Sequence, residues 1–186
     1  MSDNLHGNIL IAMPHLIDPR FQKSVILICE FSKKHVMGLI LNKEIKNINL
    51  NDLTKKLNIP KSNPFKNDII FNGGPVYTGQ GFILHSSDMI YKNTEQVIDN
   101  ISLTTSIEIL EDFCMDKGPK EVKIFLGCSV WTYEQFNQEI LDNSWLTMQG
   151  NKDIIFNDTP LNDLWKTCIK NMGINEKKLV TSFGHA

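Results

Sequence analysis

The chain contains 186 residues, of which 41% are hydrophobic and 22% are charged. A single domain of this length buries roughly 70% of the surface of its unfolded chain, so it needs neither disulfides nor a structural metal for stability. The N-terminus is polar and the longest aliphatic runs are five residues, which excludes a signal peptide and a membrane-spanning helix. We therefore expect a cytosolic protein that is not associated with membranes.

Charge is distributed unevenly along the chain, although the net charge is only −2. Residues 1–70 carry ten basic and six acidic side chains, whereas residues 71–163 carry five basic and fourteen acidic ones. Arg20 is the only arginine. Base recognition relies mainly on bidentate arginine contacts, and phosphate binding grows with the number of clustered cations. This charge pattern argues against direct binding to nucleic acids.

The first half of the chain predicts three strands and a short helix. Apolar and β-branched runs predict strands over Asn8–Met13, Ser24–Phe31 and Val36–Leu41, the last two forming a hairpin. Leucines at spacings of three and four predict a helix over residues 50–57, capped by Asn49 or Asn51. Two prolines predict a loop over residues 58–67.

The second half predicts further strands alternating with helices. The strands are expected at residues 69–72, 82–85, 96–101 and 121–126, with a hairpin formed by 145–149 and 153–156. One helix is expected from Thr104, with Thr105 and Glu108 as a capping box and Ile107 on its inner face, and another after a capping pair of Thr132 and Gln135. The last helix is predicted to begin with Thr159 as its cap and Pro160 at its first position. It carries an apolar stripe from Leu161 to Met172 and ends at Gly173.

These elements predict one domain, residues 1–186, of the α/β class with α+β-like character. Hairpins open and close the chain and no regular β-α-β alternation runs through it. The expected architecture is a mixed, largely antiparallel sheet with about four helices packed on it.

Several motifs in collinear order along the chain resemble one known family. They are Leu10-Ile11-Ala12-Met13-Pro14, Asp18-Pro19, Ile28-Cys29-Glu30, Gly73-Gly74-Pro75-Val76, Gly81-Phe82-Ile83-Leu84-His85, Trp145-Leu146-Thr147 and the terminal Gly184-His185-Ala186. With these motifs the chain resembles the bacterial YqgE/AlgH family over essentially its whole length. The resemblance implies a bifurcated sheet that curls into a pseudo-barrel. Members are sometimes labelled transcriptional regulators, and the family carries no established reaction, cofactor or catalytic residue, so no cofactor is expected.

Two polar segments between strands are candidates for binding a ligand. In residues 18–24, Asp18 and Ser24 could line a cleft, or they could form an Asx turn and bond the backbone. Gly73 and Gly74 follow a strand without the lysine–serine pair of a P-loop. They form either a tight turn with a positive φ or a set of backbone amides that face an anion.

The helix that follows Trp131 carries the most suggestive pattern. Trp131, Gln135 and Glu139 are spaced by four residues and share one flank, and Trp145 follows closely. Aromatic side chains beside polar groups commonly anchor protein contacts, although both tryptophans could instead belong to the core. The proposed binding surface therefore combines Asp18, Ser24, Gly73, Gly74, His85, Trp131, Gln135, Glu139 and Trp145, with a protein or a small ligand as the expected partner.

An enzymatic alternative uses His85 as a general base and either Ser24 or Cys128 as the nucleophile. Cys128 lies in the segment Gly127–Trp131, which the sequence predicts to be a strand-to-helix turn, where a helix N-terminus lowers the pKa of a thiol. The other three cysteines are expected to be buried free thiols. A metal site is not predicted, because the five histidines never occur at H-x-x-x-H spacing and no cysteine pair accompanies them.

Overall fold

The computed structural model describes residues 4–65, 68–156, 159–176 and 179. The strands are β1 (Asn8–Ala12), β2 (Val25–Phe31), β3 (His35–Ile40), β4 (Phe71–Asn72), β5 (Val76–Ser86), β6 (Thr94–Ile98), β7 (Ile101–Thr104), β8 (Val122–Thr132) and β9 (Trp145–Gln149). The helices within these ranges are α1 (Leu50–Lys56), α2 (Glu108–Cys114), α3 (Tyr133–Leu141), α4 (Lys152–Ile155) and α5 (Leu161–Asn171). The predicted α/β class, with four helices of at least seven residues, is confirmed.

The nine strands form one curled sheet that divides at β8. The order is β6-β7-β5-β8-β3-β2-β1-β9, and all of these neighbours are antiparallel. Residues 122–126 and Cys128 of β8 pair with β5, whereas residues 129–132 pair with β3. β4 runs parallel to β8 beside the division. The sheet curls so far that Ile98 of β6 lies against Gly7, just before β1. The mixed sheet and its half-barrel shape are therefore as expected.

Three apolar clusters hold the layers together. The largest fills the inside of the half-barrel and includes buried residues of α5 such as Leu164 and Trp165. α3 covers the outer face of β1, β2 and β3 through Phe136, which is fully buried. α1 and α2 cover the outer face of β5 and β8. Fully burying a large apolar side chain contributes about 1.5–3 kcal/mol, so these contacts fix where each helix lies.

The capping signals at α1 and at the end of α5 were predicted correctly. Asn49 caps α1 in a reciprocal capping box with Asp52. Gly173 follows α5 with φ +72°, the left-handed conformation that ends a helix. The start of α5 was predicted one residue early, because Pro160 is the N-cap and no side-chain hydrogen bond caps the helix. The prediction that Thr159 is the cap is therefore wrong.

Three predictions in the middle of the chain are wrong. The single strand predicted at residues 96–101 is two strands, β6 and β7, joined by a tight turn in which Asn100 has φ +64°. Thr104 ends β7 and donates its hydroxyl to Lys92 O, so α2 begins later without the Thr105–Glu108 capping box. Ile107, predicted to face the core, is 50% exposed.

Two predictions in the following region are also wrong. Gly127–Trp131 is not a turn, because β8 continues through it to Thr132, whose hydroxyl oxygen then caps α3 by accepting the Gln135 N–H at 3.1 Å. The hairpin predicted for residues 145–156 does not form. β9 pairs with β1 instead, and residues 152–155 form α4, capped by Asn151.

None of the helices in the described ranges is long and apolar enough to cross a bilayer. The last two residues of the loop predicted over 58–67, and the terminal Gly184-His185-Ala186 motif, lie outside the described residues.

Candidate functional site

The loop of residues 18–24 is organised by an ion pair within it. The Arg20 guanidinium donates from Nε to Asp18 Oδ1 at 3.0 Å and from Nη2 to Asp18 Oδ2 at 2.6 Å. The Arg20 backbone N–H also donates to Asp18 Oδ1, which completes an Asx turn. The side-chain hydrogen bonds from Arg20 lower the pKa of Asp18. Asp18 therefore shapes the loop through Arg20.

Ser24 closes this loop from the inside of the protein. Its backbone N–H donates to Phe21 O, and its carbonyl accepts the Ala12 N–H, each at 3.0 Å. The side chain is fully buried, and its hydroxyl has no hydrogen-bond partner among the described residues. Burial without a partner costs about 1–3 kcal/mol, and Ser24 has no exposed surface from which to reach a ligand.

The four residues predicted on the α3 flank do come together, around a single carboxylate. Glu139 Oε2 accepts the indole N–H of Trp131 at 3.0 Å and that of Trp145 at 2.7 Å. Glu139 Oε1 accepts the side-chain amide of Gln135 at 2.8 Å. The two indole rings are 6.0 Å apart in an edge-to-face arrangement, and Phe21 packs against both. We call these five residues the Glu139 cluster.

Exposure divides the Glu139 cluster into an interior and a surface part. Trp131 and Trp145 are only 2% and 4% exposed, so the tryptophans themselves belong to the core. Glu139 is half-buried and Gln135 is exposed. What the cluster presents to solvent is therefore an amide and part of a carboxylate, held in place by buried aromatic rings.

Gly73 and Gly74 lie where two segments of backbone nearly touch. A Cβ on Gly73 would lie 2.2 Å from Gly127 O, and one on Gly74, where φ is +151°, would lie 2.3 Å from the Cys128 carbonyl carbon. Both amides are occupied: Gly73 N–H donates to Leu126 O and Gly74 N–H to Asn72 Oδ1. The two glycines therefore allow a close approach at the division of the sheet, and their N–H groups are not directed at an anion.

His85 is fully buried in β5, away from the Glu139 cluster. Its Nδ1 lies 2.9 Å from Ser86 O, and Nε2 has no partner among the described residues. Tyr91 packs edge-to-face against the ring. Burial lowers the pKa of His85, so the neutral imidazole is favoured.

The structure does not bring His85 together with either proposed nucleophile. His85 is paired with Val122 on β8, and Cys128 lies six residues further along that strand, about 20 Å away at the usual rise per residue. Ser24 precedes β2, which is separated from β5 by two other strands. Cys128 is also buried, and burial raises its pKa to about 11. The arrangement required for nucleophilic catalysis is absent from these residues.

One feature that sequence reasoning missed is a cleft of about 640 Å³ beside the 18–24 loop. Lys23 of the loop, Lys43 after β3 and Trp165 of α5 line it together. These residues are far apart in the sequence, and no local spacing indicates that they meet. The unusual backbone at Lys23, with φ +51°, also carries no signal in the sequence.

Among the residues that the structure describes, no three His, Cys, Asp or Glu side chains are grouped so that they could hold a metal ion. His185 lies outside this part of the chain.

Fold and site together define a curled, bifurcated α/β domain with a rigid polar and aromatic cluster at one helix. A family model described as AlgH-like matches residues 9–177. The chain is 38% identical over 188 residues to a UPF0301 protein of Erwinia tasmaniensis, covering 98% of this chain and 100% of the relative. It is 37% identical over 187 residues to the UPF0301 protein YqgE of Escherichia coli, with the same coverage.

Solved structures agree with these relatives. The solution structure of AlgH from Pseudomonas aeruginosa matches with a TM-score of 0.79 and 32% identity, covering 100% of this chain and 98% of that one. A crystal structure of a Corynebacterium diphtheriae protein shares the fold, with a TM-score of 0.72 at 17% identity over 89% of this chain and 85% of that one. The chain belongs to the YqgE/AlgH (UPF0301) family, an uncharacterised protein family.

Proposed function

We propose that the protein acts by binding a partner protein, without catalysing a reaction, and that any effect on gene expression follows indirectly from this contact. The binding surface is formed by the 18–24 loop and the outer flank of α3. The observation that carries the proposal is the Glu139 cluster, in which one carboxylate fixes two indoles and an exposed amide. Groups that are held in place before binding lose less entropy on association.

Exposed apolar side chains flank this rigid polar centre. Ile17, next to the loop, is 89% exposed, and Leu141, at the end of α3, is 74% exposed. The Met13 N–H donates to Ser144 O at 2.9 Å, which ties the chain just before Ile17 to the chain just after Leu141. Apolar groups around an ordered polar centre are typical of protein interfaces.

The charge of α3 indicates the chemistry of the partner. The helix carries Glu134 and Glu139 but no lysine or arginine. Glu134, Gln135 and Gln138 are exposed. We therefore expect the partner to present basic or amide donor groups beside aliphatic side chains. Such complementarity raises association rates and excludes acidic partners.

The separation of His85 from Ser24 and Cys128 supports binding over catalysis. Direct recognition of DNA bases is not favoured, because the chain has one arginine and base recognition relies mainly on bidentate arginine contacts. A titration of the protein against duplex DNA between low and moderate salt is expected to show no salt-dependent binding.

Charge insertion at the two exposed apolar residues tests the proposal. Ile17→Arg and Leu141→Arg are expected to weaken the binding of a partner isolated by affinity capture at least about tenfold, measured by calorimetry. Leu57→Arg, at a residue that is 43% exposed after α1, is the matched control and should bind as the wild type does. Thermal unfolding should be unchanged in all three, because the side chains are on the surface. Full affinity in both Ile17→Arg and Leu141→Arg would contradict the proposal.

A further inference from the structure

The cleft behind the 18–24 loop has the size and the composition of a small-molecule site. Its volume, about 640 Å³, lies within the range of about 300–1,000 Å³ that is typical of ligand pockets. Pro14, Leu161 and Trp165 provide apolar and aromatic walls, and Lys23 and Lys43 provide positive charge. No residue of α3 lines it, although Gln22 and Lys23 belong to the 18–24 loop.

The two lysines are held at the cleft by specific contacts. Lys23 has φ +51°, a strained conformation for a residue with a side chain. The Asn42 side chain stabilises it by donating to Lys23 O at 2.8 Å and accepting the Val25 N–H at 2.9 Å. In this conformation the Lys23 ammonium lies 6.0 Å from the centre of the Trp165 ring.

Lys43 is the more buried of the two cations. It is half-buried, and its Nζ donates to Arg20 O at 2.6 Å. Burial lowers the pKa of Lys43, which means that water solvates its charge incompletely. An anion in the cleft would restore part of that lost solvation.

The balance of charges sets the preferred ligand charge. Glu176 also lines the cleft, so the two ammonium groups and one carboxylate leave a balance of +1. Asp18 and Arg20 neutralise each other beside it. We propose that the cleft binds a small organic monoanion, with its carboxylate at Lys23 and Lys43 and its aromatic or aliphatic body against Trp165 and Leu161.

The lining residues indicate how the ligand is recognised. Among the described residues that line the cleft there is no serine, cysteine or histidine. Trp165 is itself fixed, because its indole N–H donates to Ala12 O at 2.8 Å. A fixed aromatic wall with two cations recognises a shape and a charge.

A comparison of 2-naphthoate with its neutral analogue 2-naphthamide tests the proposal on the full-length chain. Titrations are followed by ¹⁵N NMR at the indole signals of the three tryptophans. The naphthoate is expected to shift the Trp165 signal and to bind about tenfold more tightly than the amide, as a charge-assisted hydrogen bond requires. The Trp131 and Trp145 signals serve as internal controls and should shift much less than the Trp165 signal, because neither residue lines the cleft. Equal affinities for the two compounds, or equal shifts of all three signals, would overturn the proposal.

Substitution of the cations separates binding at this cleft from binding elsewhere. Lys23→Met and Lys43→Met are each expected to reduce the affinity for 2-naphthoate at least about fivefold and to leave that for 2-naphthamide unchanged. Lys34→Met removes an exposed lysine between β2 and β3 and is expected to have no effect. Lys23 is exposed, so Lys23→Met keeps the test valid even if Lys43→Met lowers the stability. Unchanged naphthoate binding in Lys23→Met would refute the assignment.

Discussion

The Glu139 cluster makes a quantitative prediction for the stability of the fold. Glu139→Ala removes the acceptor of two indole N–H groups that belong to buried residues. Each buried donor left without a partner costs about 1–3 kcal/mol, so the substitution is expected to lower the free energy of unfolding by about 4 kcal/mol. That is a large fraction of the roughly 5–15 kcal/mol that stabilises a typical domain. Glu139→Gln keeps an acceptor oxygen but not its charge, and is expected to cost about 1 kcal/mol, because a hydrogen bond to a neutral acceptor is weaker than one to a carboxylate.

Urea unfolding monitored by far-ultraviolet circular dichroism measures these differences directly. Gln138→Ala is the matched control, because Gln138 is exposed on the same helix and its side-chain amide donates to Asp142, which is also exposed. It is expected to change the stability by no more than about 0.5 kcal/mol. A loss below about 1 kcal/mol in Glu139→Ala would show that the hydrogen bonds to Glu139 do not hold the tryptophans in place.

Three further predictions concern the interior. Gly74→Ala is expected to destabilise the protein by more than about 3 kcal/mol, since the added Cβ meets the backbone at 2.3 Å in a left-handed conformation. Gly79→Ala, which meets nothing within 4 Å, should cost less than about 1 kcal/mol, and similar melting temperatures for the two would contradict the reasoning. Cys128 should resist Ellman's reagent at pH 8 until the protein unfolds, because it is buried and its pKa is raised to about 11; rapid labelling of the native state would refute this. Because the pKa of His85 is lowered in the folded state, the unfolded chain binds more protons below about pH 6.5, so stability should fall as the pH drops from 7.5 to 5.5. His85→Leu should flatten that decline in urea titrations, and an equal decline in both proteins would exclude His85 as its source.

Elements whose signals are local were predictable from the sequence. The apolar stripe of α5 recurs every three or four residues, and a buried helix face requires that spacing whatever surrounds it. Asn49 and Gly173 act through hydrogen bonds and backbone angles within a few residues of themselves. The contact between Gln135 and Glu139 follows from helix geometry alone, because residues four apart are neighbours on the same side of a helix.

Elements that depend on distant partners were not predictable in this way. Gly127 resembles a turn residue, yet it lies inside β8. A glycine is needed there because φ is +72° and because the backbone of Gly74 lies where a side chain would be. Residues 145–156 have the pattern of a hairpin, but β1 offers Trp145–Gln149 a complete antiparallel partner from the other end of the chain. In both places, pairing with a distant strand overrides the local turn or hairpin propensity of the sequence.

The 18–24 loop connects the two proposed sites. Phe21 packs on Trp131 and Trp145, whereas Lys23, two residues later, lines the cleft. The Asn42 side chain holds the Lys23 backbone by donating to Lys23 O. A ligand that binds the Lys23 ammonium therefore contacts the same short segment that positions Phe21. If the ligand favours one loop conformation and the partner favours the same one, each raises the affinity of the other by an equal factor. Occupation of the cleft would then change the affinity of the α3 surface for its partner, and regulation by that route requires no catalytic residue.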